Sequence, residues 1–338
     1  MQTGQTVRTY ALFVGVDIAA KTATVATQRP GTKAGRSLTI DQTPEGYTRL
    51  LQQLQATGSV PSQVLVVMEA TGSYWMSLAT RLVHAGFAVS VINPAQAHHF
   101  AQALLKRAKT DAIDAQTLAQ LAMVLQPEPW TPPPQIYYAL QQRLAQRDDL
   151  LNLRQQVRNQ LHALVQPPEV IPEVRVRMER LLTTFEAQLV EVERAIAVAL
   201  TQDSAWAAAA TRLQSIKGVG WVTAVWTLVT TLNLTSCDTV DSLTAYAGLA
   251  PMPRQSGSRV WYRPAIGHTG NSRLRTAFYM ATLSAAQHNP LIKAFYARLR
   301  EAGKPEKVAR CASARKLLHI AWAVVKKDQR FDPYYAQG

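Results

Sequence analysis

Cysteine is almost absent: Cys237 and Cys311 are the only two in 338 residues. Two thiols so placed supply neither a disulfide framework nor a cysteine-rich zinc site, and they fit a reducing cytoplasm. The histidines do not change this, because His84, His98, His99, His268 and His288 show no metal-ligand spacing with cysteine. Met1 to Tyr10 has no apolar core, so no secretory signal is expected. The most apolar run, Val219 to Leu234, is too short and too rich in threonine for a membrane span. Acids are scarce in one region: residues 251–330 hold 16 Lys and Arg against 3 acids, a net of +13. The remainder is balanced at 20 against 19. That segregation implies a polyanionic partner for the C-terminal part, either nucleic acid or an acidic membrane surface. A soluble, cytoplasmic protein is expected.

What is present in quantity is apolar sequence, 47% of the chain, enough for more than one core. Ala11 to Asp17 is a short apolar run ending in an acid, which predicts a buried strand with a carboxylate at its tip. Thr22 to Thr27 and Ser37 to Ile40 predict two more strands. Thr43-Pro44-Glu45 opens a helix reaching about Ala56. Val64 to Met68 predicts a fourth buried strand running directly into Glu69. A helix over 73–85, a strand over 88–92 and helical sequence from Asn93-Pro94 follow. The order β-β-β-α-β-α-β-α predicts an α/β domain with a mixed sheet, RNase H-like, with strands one and four side by side.

Gln126 to Pro134 is a proline-rich boundary. Two long helices are expected beyond it, about 136–165 and 174–200. On the second, Met178, Leu182, Phe185, Leu189, Val192 and Ile196 alternate at spacings of four and three, a coiled-coil seam that a helical hairpin or an oligomer contact would satisfy equally. Later sequence is helical with loops. Lys217-Gly218-Val219-Gly220 joins two helical stretches by a turn whose N–H groups suit a phosphate. Residues 247–258 read as a flexible loop ending in serines. Arg273 and Arg275 open a helix, where the helix dipole disfavours cations, so an anion facing them is expected. The segments are 8–130, 131–204 and 205–332, the last mainly α-helical.

Four acids carry the chemistry. Asp111 and Asp114, three residues apart behind the basic residues Lys106, Arg107 and Lys109, share a helix face with Cβ atoms roughly 5–6 Å apart. Thr110 is the expected N-cap. Two carboxylates so close repel unless a cation lies between them. Asp17 and Glu69 sit at strand ends, where open sheets build their sites. Converging, the four carboxylates would hold two Mg²⁺ ions on a phosphodiester.

Val16-Asp17, Met68-Glu69-Ala70-Thr71-Gly72, Val91-Ile92-Asn93-Pro94, Lys109-Thr110-Asp111 with Asp114-Ala115, Ile216-Lys217-Gly218-Val219-Gly220 and Ala247-Gly248-Leu249-Ala250-Pro251 together resemble the DEDD-type insertion-sequence transposases, from about residue 11 to about 332. The resemblance implies a RuvC-like (RNase H fold) domain, a coiled-coil segment and a helical transposase domain. It makes Asp17, Glu69, Asp111 and Asp114 the metal ligands and Ser256, in Arg254-Gln255-Ser256-Gly257, the nucleophile. Spacing alone does not separate Ser256 from Ser258. The partners it implies are double-stranded element and target DNA, a guide (bridge) RNA, and further copies of the chain in a dimer or tetramer. Arg254, Arg259, Arg273 and Arg275 become candidates for phosphate contacts.

Three other readings make different predictions. A junction resolvase using metal-activated water leaves no protein–DNA adduct. An ATPase built on the same sheet, with Gly15-Val16-Asp17 as its first phosphate loop, turns over ATP without nucleic acid. A non-catalytic RNA- or DNA-binding protein tolerates loss of Asp111 or Asp114.

Overall fold

The computed structural model describes residues 9–70, 72–105, 110–256, 260–267 and 269–334, without the side chains of residues 252–265. Lys106, Arg107, Lys109, Ser258 and Arg259 lie outside the described residues. Two compact units divide within the proline-rich segment, Met1–Pro132 and Pro133–Gly338.

The first unit runs β1 (Leu12–Ile18), β2 (Thr22–Gln28), β3 (Leu38–Asp41), α1 (Pro44–Ala56), β4 (Val64–Glu69), α2 (Trp75–His84), β5 (Ala88–Ile92), α3 (Pro94–Ala103) and α4 (Asp111–Leu125). The strands form one mixed sheet in the order β3-β2-β1-β4-β5. β1 is antiparallel to β2 and parallel to β4, so strands one and four are neighbours as the element order predicts. β1 and β4 are apolar at almost every position because both faces are covered. Leu12, Val14, Val16, Val64, Val66 and Met68 face one cluster with Leu50, Leu54, Leu78 and Leu82 of α1 and α2. Phe13, Leu65 and Val67 face the other, with Ala97, Leu118, Leu121 and Ala122 of α3 and α4. Burying each such side chain contributes about 1.5–3 kcal/mol. The helices start where their caps dictate: the Thr43 and Asn93 side chains accept from Gly46 N and Ala95 N, and each precedes a proline.

The second unit contains α5 (Gln135–Leu164), α6 (Pro172–Thr201), α7 (Ser204–Gln214), α8 (Trp221–Thr231), α9 (Val240–Tyr246), β6 (Pro251–Ser256), β7 (Val260–Ile266), α10 (Ser272–His288), α11 (Pro290–Glu301) and α12 (Glu306–Lys326). α5 and α6 form an antiparallel hairpin: Arg147 pairs with Glu193 and Arg158 with Glu186, each at 2.8 Å. The seam on α6 is its inner face, with Leu189, Val192 and Ile196 buried. Around Ile196, Trp206, Leu213, Leu228 and Phe278 the remaining helices share one core. α8 ends in three consecutive left-handed residues, Leu232, Asn233 and Leu234, with φ of 48°, 56° and 59°. Each costs about 1–2 kcal/mol outside glycine. The hydroxyl of Thr231 offsets part of this by accepting Leu234 N–H at 3.0 Å. Among the described residues, no helix is long and apolar enough to cross a membrane.

One sequence expectation is corrected here. The stretch over 251–256 is a strand, not a loop: β6 pairs antiparallel with β7, with Ser256 opposite Val260 and a register shift between Met252 and Arg254. In a two-stranded ribbon both strands are edges, which tolerates Pro251 and Pro253 where a central strand would not.

Candidate functional site

The acids of the first unit are positioned by strand register. β1 and β4 run parallel, with Val16 opposite Met68 as the final pair. Asp17 and Glu69 are the next position on each strand, abreast across neighbouring strands about 4.8 Å apart. Both are half-buried, and both are engaged in interactions. By alternation they share the face of Phe13, Leu65 and Val67, the face that α4 covers.

α4 approaches β1 without a gap. A methyl group on Gly15 would overlap Ala115 O and Ala119 N and lie 2.7 Å from Leu118 C. Asp111 and Asp114 are in the helical turn immediately before Ala115, so α4 brings them to the same sheet face as Asp17 and Glu69. Asp114 is half-buried and Asp111 exposed. The Thr110 hydroxyl accepts Ile113 N–H at 3.3 Å, and its carbonyl accepts Asp114 N–H at 2.9 Å. Thr110→Ala is expected to cost about 1 kcal/mol and fray the turn that aims both acids, read as a small fall in melting temperature. Four carboxylates are a hard, oxygen-only donor set suited to Mg²⁺. Among the described residues, however, no group of three or more His, Cys, Asp or Glu is close enough to hold a metal ion. The register unites Asp17 with Glu69; the other two acids share their face without closing a cage.

In the second unit the β6–β7 ribbon that ends in Ser256 is anchored at its base. Gly248 (φ +67°) and Gly270 (φ +96°) pack against each other, Gly270 with no room for a Cβ beside Gly248 N at 2.7 Å. The Arg275 guanidinium lies against Gly248 and donates to Thr269 O at 3.1 Å. Asn271 caps α10 by accepting Leu274 N–H at 3.0 Å and donates to the Tyr246 hydroxyl, which donates to Thr230 O at 2.9 Å. Burial pushes the Tyr246 phenol up, against the opposing hydrogen bond from Asn271. The Gly-Leu-x-Pro motif is thus a packing joint for the ribbon. Gly248→Ala is expected to cost more than about 2 kcal/mol, because the new methyl meets Thr269 O at a left-handed φ; a denaturant midpoint measures it.

The other cations are placed as follows. Arg273 already has an anion, forming an ion pair with Asp148, and its guanidinium lies 4.1 Å from the Trp226 ring. Burial lowers its pKa, and it remains partly exposed. Lys217 is exposed, and its carbonyl accepts the Asn289 side-chain amide at 3.2 Å. Gly218 is closed by Ala285, whose Cα would lie 2.8 Å from a Cβ there. Gly220 caps α8 with open space around it. For Arg254 and Ser256 only the backbone is described. Tyr246, Asn271 and Asn289 were not singled out by sequence. The one available signal was asparagine before a helix, at Asn289-Pro290 and at Asn271-Ser272.

A transposase model of the DEDD, IS110 type matches residues 14–167, and the model of the transposase IS116/IS110/IS902 family matches residues 210–297. All four acids fall in the first match and Ser256 in the second. The pilin gene-inverting protein of Moraxella lacunata is 29% identical over 322 residues, 95% of this chain and 97% of that protein. Its counterpart in Moraxella bovis is 28% identical over 321 residues, with the same coverage. An uncharacterized 43.6 kDa protein of insertion element IS110 from Streptomyces coelicolor is 32% identical over 126 residues, 37% of this chain and 31% of that protein. The two matches together cover more than half of the sequence in the family's order, and the chain belongs to the IS116/IS110/IS902 family of transposases, which are DNA-recombining enzymes.

Proposed function

We propose that this transposase cuts and rejoins DNA strands between an element and its target by forming a temporary phosphoserine bond, with an RNA choosing the sites. The observation that carries the reading is the register that sets Asp17 and Glu69 abreast on the sheet face covered by α4. The sheet order, with a three-stranded antiparallel meander followed by parallel strands, supports an RNase H-like, RuvC-type domain. Asp17, Glu69, Asp111 and Asp114 are the residues that would hold Mg²⁺, which supplies charge stabilisation to the phosphodiester when bound.

Ser256 Oγ attacks the phosphorus. An Oγ–P bond forms, a deoxyribose oxygen leaves and takes up a proton, and the ester keeps the bond energy for rejoining. A deoxyribose hydroxyl from the second DNA then attacks the phosphoserine and restores Ser256. The relatives named for gene inversion support rejoining over hydrolysis, since inversion must reseal every end it opens. Basic side chains of residues 251–330 neutralise backbone phosphate. Copies of the chain assemble as a dimer or tetramer through the α5–α6 hairpin, acting as a coiled coil.

The test is to incubate the protein with element-end DNA and Mg²⁺, quench in detergent and map any covalent adduct by peptide mass spectrometry. An adduct on Ser256 is the expected outcome. One on Ser258 moves the nucleophile by two residues, and cleavage without adduct sinks the reading in favour of a metal-activated water. Sequencing of RNA purified with the protein tests the guide: one specific noncoding species is expected, and a random pool contradicts it.

A further inference from the structure

A cleft of about 620 Å³ opens at the base of the β6–β7 ribbon, between it and α11 and α12. No bond-making step of the strand-transfer reading involves it. Leu249, Ile266, Phe295 and Val308 make it apolar, while Lys307, Arg315 and Lys316 give it positive charge. Among the described residues, no carboxylate lines it. Lys316 Nζ sits 4.7 Å and Arg298 Cζ 5.3 Å from the Phe295 ring centroid, so the ring carries cations that an incoming base displaces toward its own phosphate. Among the described residues, the ion-pair partner of Arg315 is a loose one, Asp241 at 4.0 Å. His319 is committed elsewhere, to the Thr244 hydroxyl at 3.0 Å.

An apolar floor with cations and no acid suits a ligand that is flat and apolar at one end and anionic at the other. The volume falls in the range of small-ligand pockets, roughly 300–1,000 Å³. A base pair within a duplex presents no free base face to such a cleft. An unpaired nucleotide does: its base stacks on an aromatic ring and its phosphate meets Lys or Arg.

We propose that this cleft seats one unpaired nucleotide of a DNA strand, displaced beside the ribbon that carries Ser256. The proposal rests on the DNA-processing reading above. The charge complementarity of Lys307, Arg315 and Lys316 and the stacking face of Phe295 carry it. Seating one displaced nucleotide there holds the strand at a fixed distance from the ribbon, so its contribution is to registration of the strand and not to bond making.

Cys311 lines the cleft and reports its occupancy, whereas Cys237 is buried elsewhere. The experiment alkylates the full chain with N-ethylmaleimide and follows the two cysteines separately by peptide mass spectrometry. A single-stranded DNA of about 12 nucleotides is expected to slow alkylation of Cys311 about tenfold, and the fully paired duplex less than about twofold. Lys316→Ala and, on the exposed rim, Lys307→Ala are expected to weaken single-strand binding about tenfold and remove the protection. If the single strand binds but Cys311 reacts at its free rate, the cleft assignment falls and the recombinase reading stands. If neither DNA form binds, both fall. Equal protection by duplex overturns the unpaired nucleotide, and protection by single-stranded RNA alone overturns the DNA strand.

Discussion

Replacing Asp17 by asparagine is expected to lower DNA strand cleavage about a thousandfold, roughly 4 kcal/mol of transition-state stabilisation, while leaving the melting temperature within a few degrees. The carboxamide keeps the shape of the half-buried side chain and the backbone pairing of β1 with both neighbours. It removes the negative charge and one hard oxygen donor. Glu69→Gln is expected to give a loss of similar size, because the two side chains occupy the same step of adjacent strands. The double substitution is expected to cost little more than either single one, since residues acting as one unit are not additive. Adduct formation under excess Mg²⁺ measures all three. Cleavage at the unaltered rate by Asp17→Asn would remove the sheet edge from the chemistry and leave it a structural role.

Gly15→Ala is expected to be the most damaging change to stability, by about 4 kcal/mol or more. The atoms it would meet, Ala115 O, Ala119 N and Leu118 C, all belong to the α4 backbone and have no rotamer by which to yield. The helix must lift from the sheet, loosening the layer that buries Phe13, Leu65, Val67, Leu118 and Leu121. Gly220→Ala is the matched control. Its backbone is extended, with φ of −75°, and a methyl there meets nothing within 4 Å, so a change under about 1 kcal/mol is expected. Thermal melts of the full chain measure both. A tolerated Gly15→Ala would mean that α4 is not seated against β1, and the geometry of Asp111 and Asp114 would need another source.

The first unit was legible in the sequence because its signals are local. Val64 to Met68 is apolar at every step, as only a strand covered on both faces requires, and all five side chains are fully buried. Thr43, Asn93 and Thr110 are caps that act within three residues of themselves. The alternating spacing on α6 defined the inner face of the hairpin but was silent on whether the partner helix came from the same chain. Other features depend on distant residues. Asp148, on α5, neutralises Arg273, on α10, so a cation in a first helical turn found its anion inside the protein. Gly248 is constrained by Thr269 and Arg275, which no window around it contains. The β6–β7 ribbon was hidden by its three prolines, Pro251, Pro253 and Pro264, which argue against a strand unless both strands are edges. The site was legible in part: residue types and strand-end positions could be read, but the register that sets Asp17 beside Glu69 is a property of pairing.

The pairing of β1 also has a consequence for synthesis. β1 leaves the ribosome ahead of its partners: its parallel neighbour β4 begins at Val64 and the helix that covers one of its faces, α4, begins at Asp111. Before β4 emerges, β1 has its antiparallel hairpin with β2 and the cover of α1 on one face, and an isolated hairpin is marginal in water. The nascent chain therefore has to carry about a hundred residues beyond β1 before the face under α4 can be finished, and contacts of that separation form slowly. Asp17 waits with it. A truncated translation product ending before α4 would have Asp17 and Glu69 but no helix over their face of the sheet.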